Sequence, residues 1–305
     1  MGAGREPRPN KNNNSNTQPM KRTLFLLTLL VAAVCNCSAQ RLLVRGDDIG
    51  GSHASNVGII QTFTEGIERT AEVMVVGPWF PEAVELLRMH PTLDVGIHLV
   101  LTSEWDGYKW RPMTECPSLC DEYGYFLRGT FPSKDYPNGS MMERAATISL
   151  GEVEAEMRAQ IELALRLIPQ VTHLSSHMGC TRITPEIAAL SQRLAEEYGL
   201  PLMDSSGLYE PLRYGMGVPI AEREERFLAA LAQMEKGKTY MHLDHPAIAS
   251  PELEATGHIG YENVSEDREG VINLWTSPKV KAYIEEHGIE LVSFGDLLKE
   301  KNTNN

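Results

Sequence analysis

Short apolar runs alternate with longer amphipathic stretches along most of the chain. Residues 41–45 (RLLVR), 71–76, 93–101, 171–175, 201–204, 238–243 and 289–293 read as strands. Between them, apolar positions recur at helical spacing over 55–66, 80–89, 152–167, 185–198, 222–236 and 279–286, and Gly199 supplies a stop for one of these helices. Strands separated by helical stretches argue for parallel β/α units.

Two segments break this rhythm. Residues 103–136 have little periodicity but hold Trp105, Tyr108, Trp110, Tyr123, Tyr125, Phe126, Phe131 and Tyr136, eight of the 21 aromatic residues. Such an excursion, about 103–150 in all, reads either as a private core under a loop or as a wall over the functional face on which sugar rings stack. The other segment is N-terminal. Residues 1–19 are polar; Lys21 and Arg22 then precede an apolar run over 24–34 and small residues up to Ala39. This is the pattern of a secretory signal peptide cleaved after Ala39, and eleven apolar residues fall short of the ~20 that a bilayer requires. The expectation is a leader at 1–39, a single domain at 40–305, export to the periplasm or the exterior, and no permanent membrane span.

Composition narrows the partners. The chain has 305 residues, 42% hydrophobic, with 41 acidic against 28 basic residues and a net charge of −13. Loss of the leader removes five basic residues and one acidic residue, which takes the net charge to −17. A surface of this sign repels phosphate backbones, so nucleic acid is excluded as a partner. Homo-oligomerisation is left open. Beyond the leader lie Cys116, Cys120 and Cys180. In an oxidising compartment the first two could bridge a short loop; alternatively all three are buried thiols.

The candidate chemistry lies in where the ionisable residues fall. Asp47 and Asp48 follow the first strand. His98 ends the third, His173 and His177 lie at the end of the 171–175 strand, Asp204 ends the next, and His242, Asp244 and His245 end the 238–243 strand. In parallel β/α folds the strand C-termini open onto one face, where sites are built. Each residue also has a plain structural role, a helix cap for Asp47 and Asp48 or a core position for His98. Taken together, carboxylates and neutral imidazoles suit a divalent cation, and one carboxylate with two imidazoles leaves coordination positions for water and substrate.

At these residues the chain resembles the YdjC/ChbG family of carbohydrate deacetylases. The matching features are Gly46-Asp47-Asp48-Ile49-Gly50 with Asn56 and Gly58, Met74-Val75-Val76-Gly77-Pro78 with Ala83, and Val95-Gly96-Ile97-His98-Leu99 with Leu101-Thr102. They continue through His173-Leu174-Ser175-Ser176-His177 and His245-Pro246 to Thr276-Ser277-Pro278 and Gly288-Ile289-Glu290-Leu291-Val292-Ser293, in conserved order over nearly the whole domain. The resemblance implies an α/β fold, an irregular (β/α) barrel of the glycoside hydrolase/deacetylase type. It also implies removal of acetyl groups from N-acetylated mono- or oligosaccharides. By motif position it makes Asp48, His98 and His177 the metal ligands, Asp47 the general base, and His245 a substrate contact or general acid. His53, Trp105, Tyr108 and Trp110 are the substrate-binding candidates. The cofactor is one divalent metal ion: imidazole ligands favour zinc, manganese or cobalt, whereas the resemblance suggests magnesium.

The chain departs from the family pattern in three places. Asp48-Ile49-Gly50 stands for Asp-Phe-Gly, and Ser52-His53-Ala54 for Ser-Pro-Gly. Ser175-Ser176-His177-Met178-Gly179 stands for Asp-Ser-His-x-His, so an acidic residue and a second histidine are missing beside His177; His53 is the candidate to replace part of that support. Two other functions compete: a metal-dependent hydrolase of glycosidic, ester or phosphate bonds, and a secreted carbohydrate-binding protein without catalysis.

Overall fold

Among the described residues seven strands form one sheet: β1 (Arg41–Ile49), β2 (Thr70–Val73), β3 (Asp94–Leu99), β4 (Val171–Ser176), β5 (Glu210–Pro211), β6 (Thr239–Asp244) and β7 (Glu290–Val292). All are parallel to their neighbours, in the order β4-β3-β2-β1-β6-β5, with β7 also paired to β1. This is a computed structural model, and it describes residues 1–2 and 39–303 except 135, 138, 215 and 216. The leader expected over 1–39 lies outside the described residues, apart from its two ends. Among the described residues no helix is long and apolar enough to cross a membrane.

The sheet curls into an open half-barrel with helices on its outside. The helices are α1 (His53–Glu65), α2 (Phe80–Met89), α3 (Leu150–Leu167), α4 (Pro185–Tyr198), α5 (Arg223–Leu231), α6 (Pro251–Glu254), α7 (Val264–Trp275), α8 (Pro278–Glu286) and α9 (Phe294–Thr303). Their starts follow local chemistry. Ser52, Ser149 and Thr184 each accept a backbone N–H of the first turn of α1, α3 and α4, and Gly199 closes α4 in the left-handed conformation at φ 66°.

The barrel fails to close at 201–204, where a strand is expected. Only Leu202 bridges Leu174, and the chain then turns through a 3-10 segment, Met203–Ser205. Pro201 has no N–H to donate to a ladder, and Pro211 limits β5 to two residues. The expected helix over 222–236 is shorter, ending at Leu231. Helices α6, α7 and α9 are additions. In α7, Gly270 and a charged first turn hide a helix whose Val271, Ile272, Leu274 and Trp275 are buried.

The aromatic excursion runs from Val100 to Ser149, and its described residues include no strand or α-helix. Trp105, Trp110, Phe126, Leu119 and Met141 are buried and join the main core instead of forming a private one, whereas Tyr123 and Phe131 are exposed. Side chains of α3 hold the excursion in place. Glu156 accepts from Met113 N, Thr114 N and Thr114 Oγ1, Glu152 accepts from Ser118, and Gln160 bonds both backbone groups of Val100. Cys116, Cys120 and Cys180 are free, buried thiols.

Candidate metal centre

β1 runs on past the expected end at Arg45 and carries Asp47 and Asp48 inside its final turn of pleat. Successive strand residues ordinarily point to opposite faces. Here the pairing with β2 slips between Gly46 and Ile49, and Asp48 adopts φ 76°, a left-handed conformation unusual for a residue with a side chain. The irregularity lets both carboxylates approach the same imidazole: Asp47 Oδ2 and Asp48 Oδ1 each lie 3.7 Å from His98 Nε2.

His98 comes from β3 and His177 from the residue after β4, which register sets alongside: His98 pairs with Ser175 and Leu99 with Ser176. His177 Nδ1 lies 3.4 Å from Asp48 Oδ1. One ligand atom from each of Asp48, His98 and His177 falls within 4.8 Å of the others, and all three residues are buried. Asp48 Oδ1 is buried without a hydrogen bond, a costly state for a carboxylate oxygen unless something charged occupies the space before it. One oxygen and two nitrogen donors around one point fit a divalent cation.

The outer nitrogens of both imidazoles are engaged, which turns the inner ones toward that point. His98 Nδ1 is 2.7 Å from Ser175 Oγ, and His177 Nε2 is 3.0 Å from Glu104 Oε2. Glu104, from the aromatic excursion, thus supplies the support whose loss the 175–179 motif suggests. His53 does not: its Nδ1 faces Glu82 at 2.9 Å and its ring lies against Trp79.

Charge is distributed unevenly. Burial opposes ionisation of Asp48, but His245, His177 and Arg268 hold its pKa well below the usual range, so it is a carboxylate. Burial, with Arg45 and His177 nearby, pushes His98 well down, leaving a neutral imidazole with a free lone pair. Burial disfavours the His177 cation, yet Glu104 and Asp48 outweigh it and lift the pKa to about 10; a metal ion would compete with that proton. Burial pushes Asp47 up, against the pull of Arg45 and His245.

The other sequence candidates are placed as follows. His245 Nε2 is 3.8 Å from Asp48 Oδ2 and its ring is half-buried, at the edge of the cluster. Trp105, Tyr108 and Trp110 line a small pocket with Asp48, Ser52 and Arg268. Trp110 meets His177 edge-on at 6.0 Å, and Trp105 is held by Arg268 above it. Asp204 accepts from Ser176 and faces Arg45 at 3.7 Å. His173 and His242 are core residues: His173 bonds Glu72, and His242 sits among Tyr214, Phe227 and Trp275. A cavity of about 1100 Å³ opens beside His245, lined by Leu212, Tyr214, Ile220, Asp244, Tyr261 and Asp267 among others.

Arg45, Glu72, Glu104 and Arg268 were not singled out by sequence. Arg45 and Glu72 stand inside apolar strands, where a buried charge needs a partner; that was the one signal available.

Residues 41–286 match the model of the YdjC-like protein family. Carbohydrate deacetylase 2 of Listeria innocua is 28% identical over 278 residues, spanning 86% of this chain and 100% of the relative. The carbohydrate deacetylase of Geobacillus stearothermophilus is 28% identical over 267 residues, 84% of this chain and 98% of the relative. That of Thermus thermophilus is 38% identical over 179 residues, 58% of this chain and 56% of the relative. A crystal structure described as that of a cellobiose-phosphate cleavage protein from Enterococcus faecalis superposes with a TM-score of 0.67 at 24% identity, covering 85% of this chain and 99% of the other.

Proposed function

This chain belongs to the YdjC-like protein family, and from that premise we propose that it is a metal-dependent carbohydrate deacetylase, removing acetyl from N-acetylated mono- or oligosaccharides. The observation that carries the reading is the buried convergence of Asp48, His98 and His177 on one point. The named activity of relatives matched along their whole length supports the substrate class.

An acetamide is a weak electrophile and water a weak nucleophile at neutral pH. A divalent cation held by Asp48, His98 and His177 would polarise the carbonyl and lower the pKa of water at the site. Asp47 accepts the proton of the attacking water. It is suited to that task because burial raises its basicity while Arg45 fixes both its oxygens, at 2.6 and 2.9 Å. His245 returns a proton to the departing amine nitrogen. It stands on the open side of the cluster, and although burial works against its cation, Asp48 and Asp244 raise its pKa. Trp105, Tyr108 and Trp110 wall the pocket beside Asp48 and exclude water around the acetyl group. The cavity beside His245 leaves room for sugar rings beyond the one that reacts.

Acetate release from a panel of acetylated saccharides, with and without chelator, tests the reading. Chelator-sensitive acetate release is expected. Cleavage of a glycosidic, ester or phosphate bond instead, or saccharide binding without acetate release, would overturn it.

A further inference from the structure

Behind His98 three strands meet over a missing side chain. Register sets Glu72 of β2 beside Gly96 of β3, and Gly96 beside His173 of β4. A Cβ at position 96 would overlap both the Glu72 carboxylate and the His173 ring. Glycine therefore opens a notch in β3 through which Glu72 reaches β4. There its Oε1 lies 2.7 Å from His173 Nε2, and its Oε2 accepts the hydroxyl of Ser175. Glu72 is fully buried, and Arg45 Nε lies 3.4 Å from its carboxylate.

The hydrogens can be counted. A serine hydroxyl has one, and a charge-paired carboxylate only accepts, so the Ser175 hydrogen points to Glu72. Ser175 Oγ is then an acceptor toward His98 Nδ1, 2.7 Å away. Nδ1 must carry the imidazole hydrogen, and Nε2 keeps its lone pair, aimed at Asp48. A reversed Ser175 hydroxyl would favour the other tautomer, which cannot ligate through Nε2.

We propose that Glu72 is a positioning residue for His98: acting through Ser175, it selects the tautomer and ring orientation in which His98 can bind the cation. The inference rests on the reading of Asp48, His98 and His177 as a cation site. It also accounts for the serine at 175, where the family pattern has an acidic residue: the carboxylate reaches His98 from β2, one hydroxyl further away.

The test is Zn²⁺ titration of the metal-stripped full chain by calorimetry. Glu72→Gln, whose amide can donate to Ser175 and turn its hydroxyl, is expected to weaken Zn²⁺ binding by about 10- to 100-fold. Ser175→Ala, which cuts the relay and leaves the Glu72–His173 bond, should weaken it comparably and covers the case in which Glu72→Gln does not fold. The double variant Glu72→Gln/Ser175→Asp puts one carboxylate directly against His98 Nδ1 and should recover most of the loss, which a general loosening of the core would not allow. Unchanged Zn²⁺ affinity in Glu72→Gln or Ser175→Ala, or no recovery in the double variant, overturns the inference while leaving the cation site standing. Zn²⁺ binding that survives Asp48→Ala overturns the cation site itself, and this inference with it.

Discussion

Arg45 grips both carboxylate oxygens of Asp47, its neighbour two residues along β1, through Nε at 2.6 Å and Nη2 at 2.9 Å. Residues two apart on a strand share a face, so the pair forms within one element and is buried with it. A two-pronged contact of this kind fixes the plane of the carboxylate as well as its position. Asp47 is thereby held 3.7 Å from His98 Nε2, beside the converging group of Asp48, His98 and His177.

The pairing separates two roles that a simple deletion would confuse. Asp47→Asn is expected to bind Zn²⁺ as the unmodified chain does and to lose acetate release by a factor of about 10² to 10⁴. Arg45→Lys, which replaces the fork with a single point donor, should lower kcat more than it raises KM. Steady-state kinetics beside Zn²⁺ calorimetry checks both, and turnover retained in Asp47→Asn would remove it as the base.

Asp48→Ala and His98→Ala are expected to lose metal and activity together. Elemental analysis of protein purified without added metal should find one divalent ion per chain in the unmodified protein and none in either variant. Chelator should also lower the Tm of the unmodified protein and leave that of Asp48→Ala unmoved, because a ligand that binds only the folded state stabilises it in proportion to its occupancy.

His242 offers a pH test away from the candidate centre. Burial among Tyr214, Phe227 and Trp275 lowers its pKa from 6.5 to about 4. The unfolded chain binds the proton more readily than the folded one. This residue's contribution to stability is therefore complete above pH 6.5 and is lost as the pH falls from there toward 4. By pH 5 the loss is about 2 kcal/mol. In His242→Leu, urea unfolding at pH 7.5 and pH 5 should differ by that much less than in the unmodified protein. An undiminished difference would show that His242 is not held neutral.

Glu156 of α3 is fully buried and collects Met113 N, Thr114 N, Thr114 Oγ1 and Gln160 Nε2. Glu156→Ala leaves these donors without an acceptor, and a loss of about 2 to 4 kcal/mol is expected in urea unfolding. The excursion carrying Glu104 and the three pocket aromatics should become susceptible to limited proteolysis in the same variant. Stability within experimental error of the unmodified chain would refute the anchoring role.

Much of the fold can be read from local pattern. Phe80–Met89 and Pro185–Tyr198 occur at their expected bounds, because a proline start, amphipathic spacing and, for the second, a glycine stop are all short-range signals. The gathering of Asp48, His98 and His177 was legible for a related reason: parallel strands place their C-terminal ends on one face whatever the loops do. Pattern reading failed where contact outweighs periodicity. Helix α7 is stabilised by the surfaces it covers, and at 201–204 Pro201 lacks the N–H that a ladder needs and the chain turns away from Met203 onward.

The remaining decisions belong to the tertiary structure. Which carboxylate orients which imidazole depends on strand register, on a slip in β1 and on where an aperiodic loop comes to rest. Glu72 reaches Ser175 because Gly96 is empty, and Glu104 reaches His177 because α3 pins the excursion. Neither relation leaves a mark in residue spacing, since each joins segments about 70 to 100 positions apart. Residue order specified the donors of the centre; packing chose their partners and the direction each one faces, because hydrogen bonds in a buried site are settled by distance and angle, which no one-dimensional pattern contains.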